Sequence, residues 1–196
     1  MARKPAEQTV HPEAIVRAAA DVFYRKGYHG ATMADIAREV NLTAGSLYHH
    51  FSSKEQLLGA VLETGFAAIT CAVQQVAESG APPADQLRQV IHLHITSEIE
   101  HADIAAALIF EIRALSDSAL RASFVRQRDA LEALYRQIVT HGIAAGDFRP
   151  VDVGVFVKTL FGALNWVSLW YRPGGRLSGE QIAAEIAGTF LAALQG

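Results

Sequence analysis

A chain of 196 residues and 21.1 kDa has room for one or two small domains around a real core. Apolar residues make up 51% and charged ones 19%, a combination that excludes intrinsic disorder. The formal net charge of −3 is uneven: residues 1–55 carry seven Lys/Arg against six Asp/Glu, and residues 56–196 carry ten against fourteen. A one-unit surplus is no polybasic patch, so any nucleic-acid reading has to come from pattern. The longest charge-free run, Thr64 to Ala77, has 14 residues, short of the roughly 20 that span a bilayer. Met1-Ala-Arg-Lys leads into polar residues without an apolar h-region. No membrane partner is expected, and a cytoplasmic location is. The lone Cys71 excludes an intramolecular disulfide and a thiolate zinc site.

Helix signals dominate, and no segment alternates apolar and polar residues for long. A first helix is predicted from about His11 to Lys26, with Pro12 in its first turn and Gly27 stopping it. Thr32 opens a short helix, with Asp35 three residues on to complete a capping box, and Ile36, Ala37 and Val40 form its buried stripe. Asn41-Leu42 makes a tight turn, and Thr43 caps a third helix to about His50. Ser53 with Gln56, or Ser52 with Glu55, caps a long fourth helix reaching about Glu78. The Gly- and Pro-containing stretch from Ser79 to Ala84 is a clear break. Further helices are expected at about 84–101, 103–115, 117–145, 152–171 and 178–195. The fold class is all-α with about nine helices: a three-helix N-terminal domain over 1–55, and a helical bundle over 56–196.

The informative segment is GATMADIAREVNLTAGSLYHHFSSKEQLL, Gly30 to Leu58. It reads as two short helices joined by a tight turn. The second is too short and polar to hold a core by itself. A helix-turn-helix presents its second helix to the DNA major groove. Ala44, Gly45 and Ser46 are small enough to let that helix approach bases closely. Its N-terminus offers backbone N–H groups and a positive dipole end to a phosphate.

Thr-x-x-x-Ile-Ala, a turn, then Gly-Ser-Leu-Tyr-His-His-Phe-x-x-Lys-Glu-x-Leu-Leu resembles the DNA-binding domain of the TetR family of transcriptional repressors. The likeness covers about residues 11–60; the rest matches only in being a helical domain of the expected length. The resemblance implies that Leu47 and Phe51 face inward and hold the recognition helix. It places Tyr48 and Lys54 at phosphate contacts, and Ala44, Gly45, Ser46 and His49 at base edges. Thr43 is then the cap and Thr32 a phosphate contact, with Arg3-Lys4 available as a further arm. It also implies a double-stranded DNA operator, a homodimer and a small hydrophobic effector.

A single module of this kind buries too little surface for tight specific binding, so dimers on palindromes are the rule. The last two helices carry apolar stripes suited to an interface: Leu160, Ala163, Leu164 and Val167 on one, Ile182, Ile186, Phe190 and Leu194 on the other. An effector pocket is expected among helices four to eight. Its candidate lining is Phe66, His94, Phe110, Arg113, Tyr135, Asn165, Trp166 and Trp170, and each of these serves equally well as core. The run Asn165-Trp-Val-Ser-Leu-Trp-Tyr-Arg-Pro-Gly-Gly resembles TetR-type regulators of fatty-acid and sterol catabolism, which implies an acyl-CoA effector. Arg113, Arg121, Arg126, Arg128 and Arg172 are candidates for its nucleotide phosphates.

Two other classes compete. A small-molecule binding protein without DNA function leaves the Thr43–His50 segment unexplained. A metal-binding protein or metalloenzyme would use His92, His94, Glu98 and His101. Three of these share a helix face at i, i+4 and i+7, too spread out to reach one ion without a partner helix. No metal or cofactor is expected. No nucleophile elbow, P-loop or dinucleotide fingerprint is present, so no catalysis is expected either.

Overall fold

The computed structural model describes residues 11–102, 104–106 and 118–195. Arg3-Lys4, Phe110, Arg113 and most of the helix expected over 103–115 lie outside them. Among the described residues there are helices and turns but no strand. The helices are α1 (Pro12–Gly30), α2 (Met33–Glu39), α3 (Ala44–His50), α4 (Lys54–Ala77) and α5 (Pro83–Glu100). They continue as α6 (Ser118–Ala145), α7 (Val153–Asn165), α8 (Val167–Trp170) and α9 (Gly179–Ala192).

The first three helices form a small module on one apolar knot. Ile15, Ala19, Val22 and Phe23 of α1 share the core with Ile36, Ala37 and Leu47, all essentially without solvent exposure. Gly27 breaks α1 locally with φ 69°, a value that favours glycine, and the last turn bends toward α2. Arg25 ties the two helices at the surface through Asp21 and Glu39, each at 2.6 Å. Asn41 takes φ 55° in the α2–α3 turn, a conformation asparagine tolerates well. The expected caps form at Thr32 and Thr43. Ser53 caps α4 through the Gln56 amide N–H, while the Gln56 side chain returns to the Ser52 N–H instead.

In the larger part, α4 packs along α6 and α5 along α9. Buried Gln86 donates to the carbonyls of Val76 and Ala77, satisfying the end of α4 from the side of α5. Arg149 does the same for α9, its backbone N–H and Nε donating at 2.8 Å to the carbonyls of Leu194 and Ala193. The ring of Phe148 lies directly on Gly142, in the space a Cβ would need.

Two expectations change here. The helix predicted over 152–171 is two, because the chain breaks at Trp166 between α7 and α8. The polar Asn165 at that break turns inward to His94. The division at 55/56 falls inside the first turn of α4, so this helix runs without interruption from the small module into the larger part.

Candidate DNA-binding face and ligand cavity

The recognition helix is built from its cap inward. The Ser46 amide donates to Thr43 Oγ1 at 3.1 Å, and the two hydroxyls share a second bond at 2.9 Å. Leu47 is wholly buried and Phe51 half-buried, so these two anchor α3 from below. Gly45, Tyr48, His49 and His50 are left exposed on the other side, with Ala44 and Ser46 half-buried beside them. Tyr48 is 52% exposed, an unusual position for a large ring. Beyond Gly45 the nearest atom a Cβ would meet is Thr43 Oγ1 at 3.8 Å, so the surface there is shallow and open. Thr32 is exposed at the start of α2, its hydroxyl bonded to Asp35 at 2.8 Å. Asp35 also meets Lys26 at 2.8 Å, and these bonds hold its carboxyl down at about 2.

Lys54 departs from its expected role. Its ammonium donates to the carbonyls of Tyr28 at 2.6 Å and Ala31 at 2.8 Å, and lies 4.4 Å from the centre of the Tyr28 ring. The side chain is half-buried and bolts the start of α4 to the end of α1. A cation directed into its own module is no reaching phosphate contact. Sequence alone shows a lysine next to a helix cap; it does not show the carbonyls above it.

A partly open cavity of about 1380 Å³ lies between the helices of the larger part. Phe66, His94, Asn165 and Trp166 line it as expected. Tyr135 is fully buried behind the wall, and Trp170 is about half exposed and not part of the lining. Ser97, Phe124 and Phe161 line it without having been anticipated, and so does Glu98, weighed on sequence as a metal ligand. The cavity also extends farther than expected, to Pro12, Glu13 and Arg17 of α1 and to Phe51. It is therefore shared between the bundle and the DNA-facing module. Of the candidate phosphate-binding arginines among the described residues, Arg128 alone borders it.

One polar network sits in the wall. Tyr135 Oη donates to the Val90 carbonyl at 3.0 Å, and His94 Nδ1 lies 3.0 Å from the same oxygen. The phenol has one proton, already given to Val90, so Nδ1 carries the imidazole proton and donates to Oη. Nε2 is then an acceptor. Its partner at 3.0 Å is the Asn165 side-chain amide, placed with Oδ1 forward; the neutral network requires the NH2 group there instead. Burial holds His94 neutral, down at about 4. Glu98, one turn on, has Oε1 3.8 Å from His94 Nε2. Burial pushes its carboxyl up to about 7, and the nearby Ser168 hydroxyl offsets only part of that rise. Glu98 Oε2 is buried and has no hydrogen-bond partner. Among the described residues no three His, Cys, Asp or Glu side chains are placed to hold a metal ion.

The intended dimer stripe divides. Leu160, Val167 and Ile182 are buried in the chain's own core, so they have no surface left to give a second copy. Ala163, Ile186 and Phe190 remain half-buried, with Phe190 edge-on to Phe156 at 5.6 Å. The outer face of α7 instead exposes Val155 and Thr159, while Gly162 and the Trp166 that follows α7 are exposed where they border the cavity.

A small helical head with a solvent-facing recognition helix, on a helical body that holds a ligand-sized cavity, defines a ligand-responsive DNA-binding regulator. The sequence of the head, residues 15–61, matches the family described as bacterial regulatory proteins, tetR family. Residues 80–194 match the tetracyclin repressor-like C-terminal domain. The HTH-type transcriptional repressor KstR2 of Mycolicibacterium smegmatis is 31% identical over 92% of this chain and 89% of its own. The TetR family regulator PfmR of Thermus thermophilus superposes with a TM-score of 0.85 at 28% identity, over 93% of this chain and 99% of that one. AibR in complex with isovaleryl coenzyme A and operator DNA gives 0.83 at 28% identity, over 91% and 96%. The chain belongs to the TetR family and is a helix-turn-helix transcriptional repressor whose DNA binding responds to a ligand.

Proposed function

We propose that residues 1–55 read a palindromic operator, and that residues 56–196 dimerise the protein and hold an elongated apolar effector whose binding releases the DNA. Ala44, Gly45, Ser46 and His49 meet base edges, Thr43 fixes the helix, and Tyr48 and Thr32 meet phosphates. Two subunits associate through α7 and α9, using Ala163, Ile186 and Phe190 at the edges of an outer face formed by Val155 and Thr159. The protein acts in the cytoplasm and performs no catalysis.

The observation that carries this reading is the cavity of about 1380 Å³, bordered by α4 to α7 and also by α1 of the reading head. That is more room than a drug-sized ligand needs. A ligand there touches the two parts at once, and by linkage its preference for one spacing of the recognition helices is taken from operator affinity. An acyl-CoA thioester is the effector class. The volume suits a chain with a large head group, and the complex of AibR with isovaleryl coenzyme A and operator DNA supports the choice.

The test starts from an operator selected out of random duplexes with the purified protein. Release of that operator by a long-chain acyl-CoA series, with free fatty acids and CoA alone as controls, is the expected result. Trp166, in the cavity wall, should report the same binding by fluorescence. Intact operator binding with no release by any acyl-CoA overturns the effector class.

A further inference from the structure

Four groups from three helices form one hydrogen-bond relay in the cavity wall: the Val90 carbonyl and His94 of α5, Tyr135 of α6 and Asn165 of α7. His94 and Asn165 border the cavity, while Val90 and Tyr135 stand behind it. The relay has a direction. Turning the Tyr135 proton toward His94 would leave Oη and the Val90 carbonyl 3.0 Å apart with no hydrogen between two oxygens. With that proton on Val90, His94 is protonated on Nδ1, its Nε2 accepts, and the NH2 end of Asn165 faces it. Oδ1 is then the other end of the amide. That end makes no hydrogen bond within the described protein, since the Ser168 hydroxyl reaches the backbone carbonyl of Asn165 and not its side chain. Unlike Glu98 Oε2 it is not sealed from solvent, and Asn165 is half-buried on the cavity border.

We propose that this relay fixes the hydrogen-bonding polarity of the cavity wall: Asn165 turns its Oδ1 acceptor to the ligand and selects an effector that carries a neutral donor, a hydroxyl or an amide N–H. The inference rests on the cavity being the effector chamber and adds to it a functional group that the effector bears. An asparagine without such neighbours offers either end of its amide and discriminates little. Here the choice is made by Tyr135, a positioning residue that stands outside the lining and acts through His94. An ether, ketone or ester oxygen set against Oδ1 pairs two acceptors and leaves the amide desolvated without a partner. A carboxylate fails for the same reason. An ammonium donates, but has to shed its water among Phe66, Phe124 and Phe161 for the sake of one amide oxygen. An acyl-CoA supplies a neutral donor from either of two places, a hydroxyl on its acyl chain or an amide N–H of the arm that carries its thiol.

The test uses two matched pairs on the full-length protein, titrated by calorimetry: decan-1-ol with its isomer 1-methoxynonane, and N-methyldecanamide with N,N-dimethyldecanamide. Decylamine is the cationic control. In at least one pair the donor is expected to bind about fivefold more tightly, the ratio one neutral hydrogen bond supplies. Discrimination in the alcohol pair alone assigns the donor to a hydroxyl, and in the amide pair alone to an amide N–H. Asn165→Leu should bring the ratio to about one. Tyr135→Phe should do the same or invert it, because His94 is then free to carry its proton on Nε2 and turn the NH2 of Asn165 to the cavity. Nitrogen NMR of labelled histidine reads the relay without any ligand: the His94 proton should sit on Nδ1 in the natural protein and move to Nε2 in Tyr135→Phe. A proton on Nε2 in the natural protein overturns the inference. So do equal affinities within both pairs, tightest binding of decylamine, or binding of none of the probes. Operator release by acyl-CoA with both ratios at one would leave the effector reading standing and remove this inference alone. A fivefold ratio without acyl-CoA release would do the reverse.

Discussion

Lys54 Nζ donates to the Tyr28 carbonyl at 2.6 Å while lying 4.4 Å above the centre of that residue's ring. The same ammonium holds the Ala31 carbonyl, so one cation closes the end of α1 against the start of α4. Its removal leaves two carbonyls at a helix end without their donor. Lys54→Ala should therefore destabilise the protein by about 2 kcal/mol in chemical denaturation. The salt dependence of operator binding should keep its slope, because no phosphate contact is lost. A slope lowered by about one unit at unchanged stability would return Lys54 to the DNA backbone.

Tyr48→Phe and His49→Ala separate the two kinds of DNA contact. Tyr48→Phe should lose affinity for all duplexes alike, since a phosphate carries no sequence information. His49→Ala should change which operators are preferred in a selection experiment. Both side chains are exposed, so melting temperatures should not move. Identical operator preference and affinity in both variants would remove these assignments.

Val155 is 64% exposed on the outer face of α7, and Leu160, five residues on, is fully buried. Val155→Asp is expected to leave each subunit folded but place a charge in an apolar contact between two of them. Light scattering at micromolar concentration should report a monomer, with operator affinity falling steeply. Leu160→Asp should instead unfold the subunit itself. A Val155→Asp protein that stays dimeric would take α7 out of the interface.

The buried acid and imidazole pull stability in opposite directions with pH. The Glu98 carboxyl is raised from 4.5 to about 7, so the folded state holds its proton where the unfolded chain has released it. Its contribution is full below pH 4.5 and is lost as the pH rises through 7. His94 is lowered from 6.5 to about 4, so its contribution is full above pH 6.5 and is lost as the pH falls through 4. Between pH 4.5 and 6.5 the two effects oppose each other. Glu98→Gln removes the first, so its stability relative to the natural protein should grow by up to about 3 kcal/mol from pH 4.5 to 7. A constant difference across that range, from denaturation at several pH values, would contradict the burial of an unpaired carboxyl.

Gly142 carries the ring of Phe148 where a side chain would stand. Gly142→Ala must push that ring out of a core in which Phe148 is 3% exposed. A cost of about 2 kcal/mol is expected, seen as a lower melting temperature with DNA affinity per folded molecule unchanged.

The reading head was legible because its information is local. Thr32 with Asp35, Asn41 and Thr43 each act within four residues, so caps and turn follow from short-range chemistry. The direction of Lys54 was not, because its partners lie 23 and 26 residues away. The same holds for the wall of the cavity. His94 meets Tyr135 41 residues on and Asn165 71 residues on, a convergence that no periodicity encodes. Leu160 and Val167 recur at helical spacing whether their stripe faces a second copy or the chain's own interior. Burial alone tells these apart. Asn165 did announce itself as an amide out of place among apolar neighbours, though its helix breaks immediately after it.

The placement of Glu13 and Arg17 on the cavity's border has an evolutionary edge. These side chains sit on the helix whose buried Phe23, Ala19 and Ile15 belong to the core that also takes in Leu47 of the recognition helix. A lineage that acquires a new inducer by altering this rim alters, with the same substitutions, the frame on which sequence reading depends. With the cavity as the effector chamber proposed above, ligand taste and operator choice would be coupled traits, and drift in one would drag the other. Residues on α5 and α6 that line the cavity, such as Ser97 and Phe124, carry no such burden. Divergence in inducer should accumulate there first.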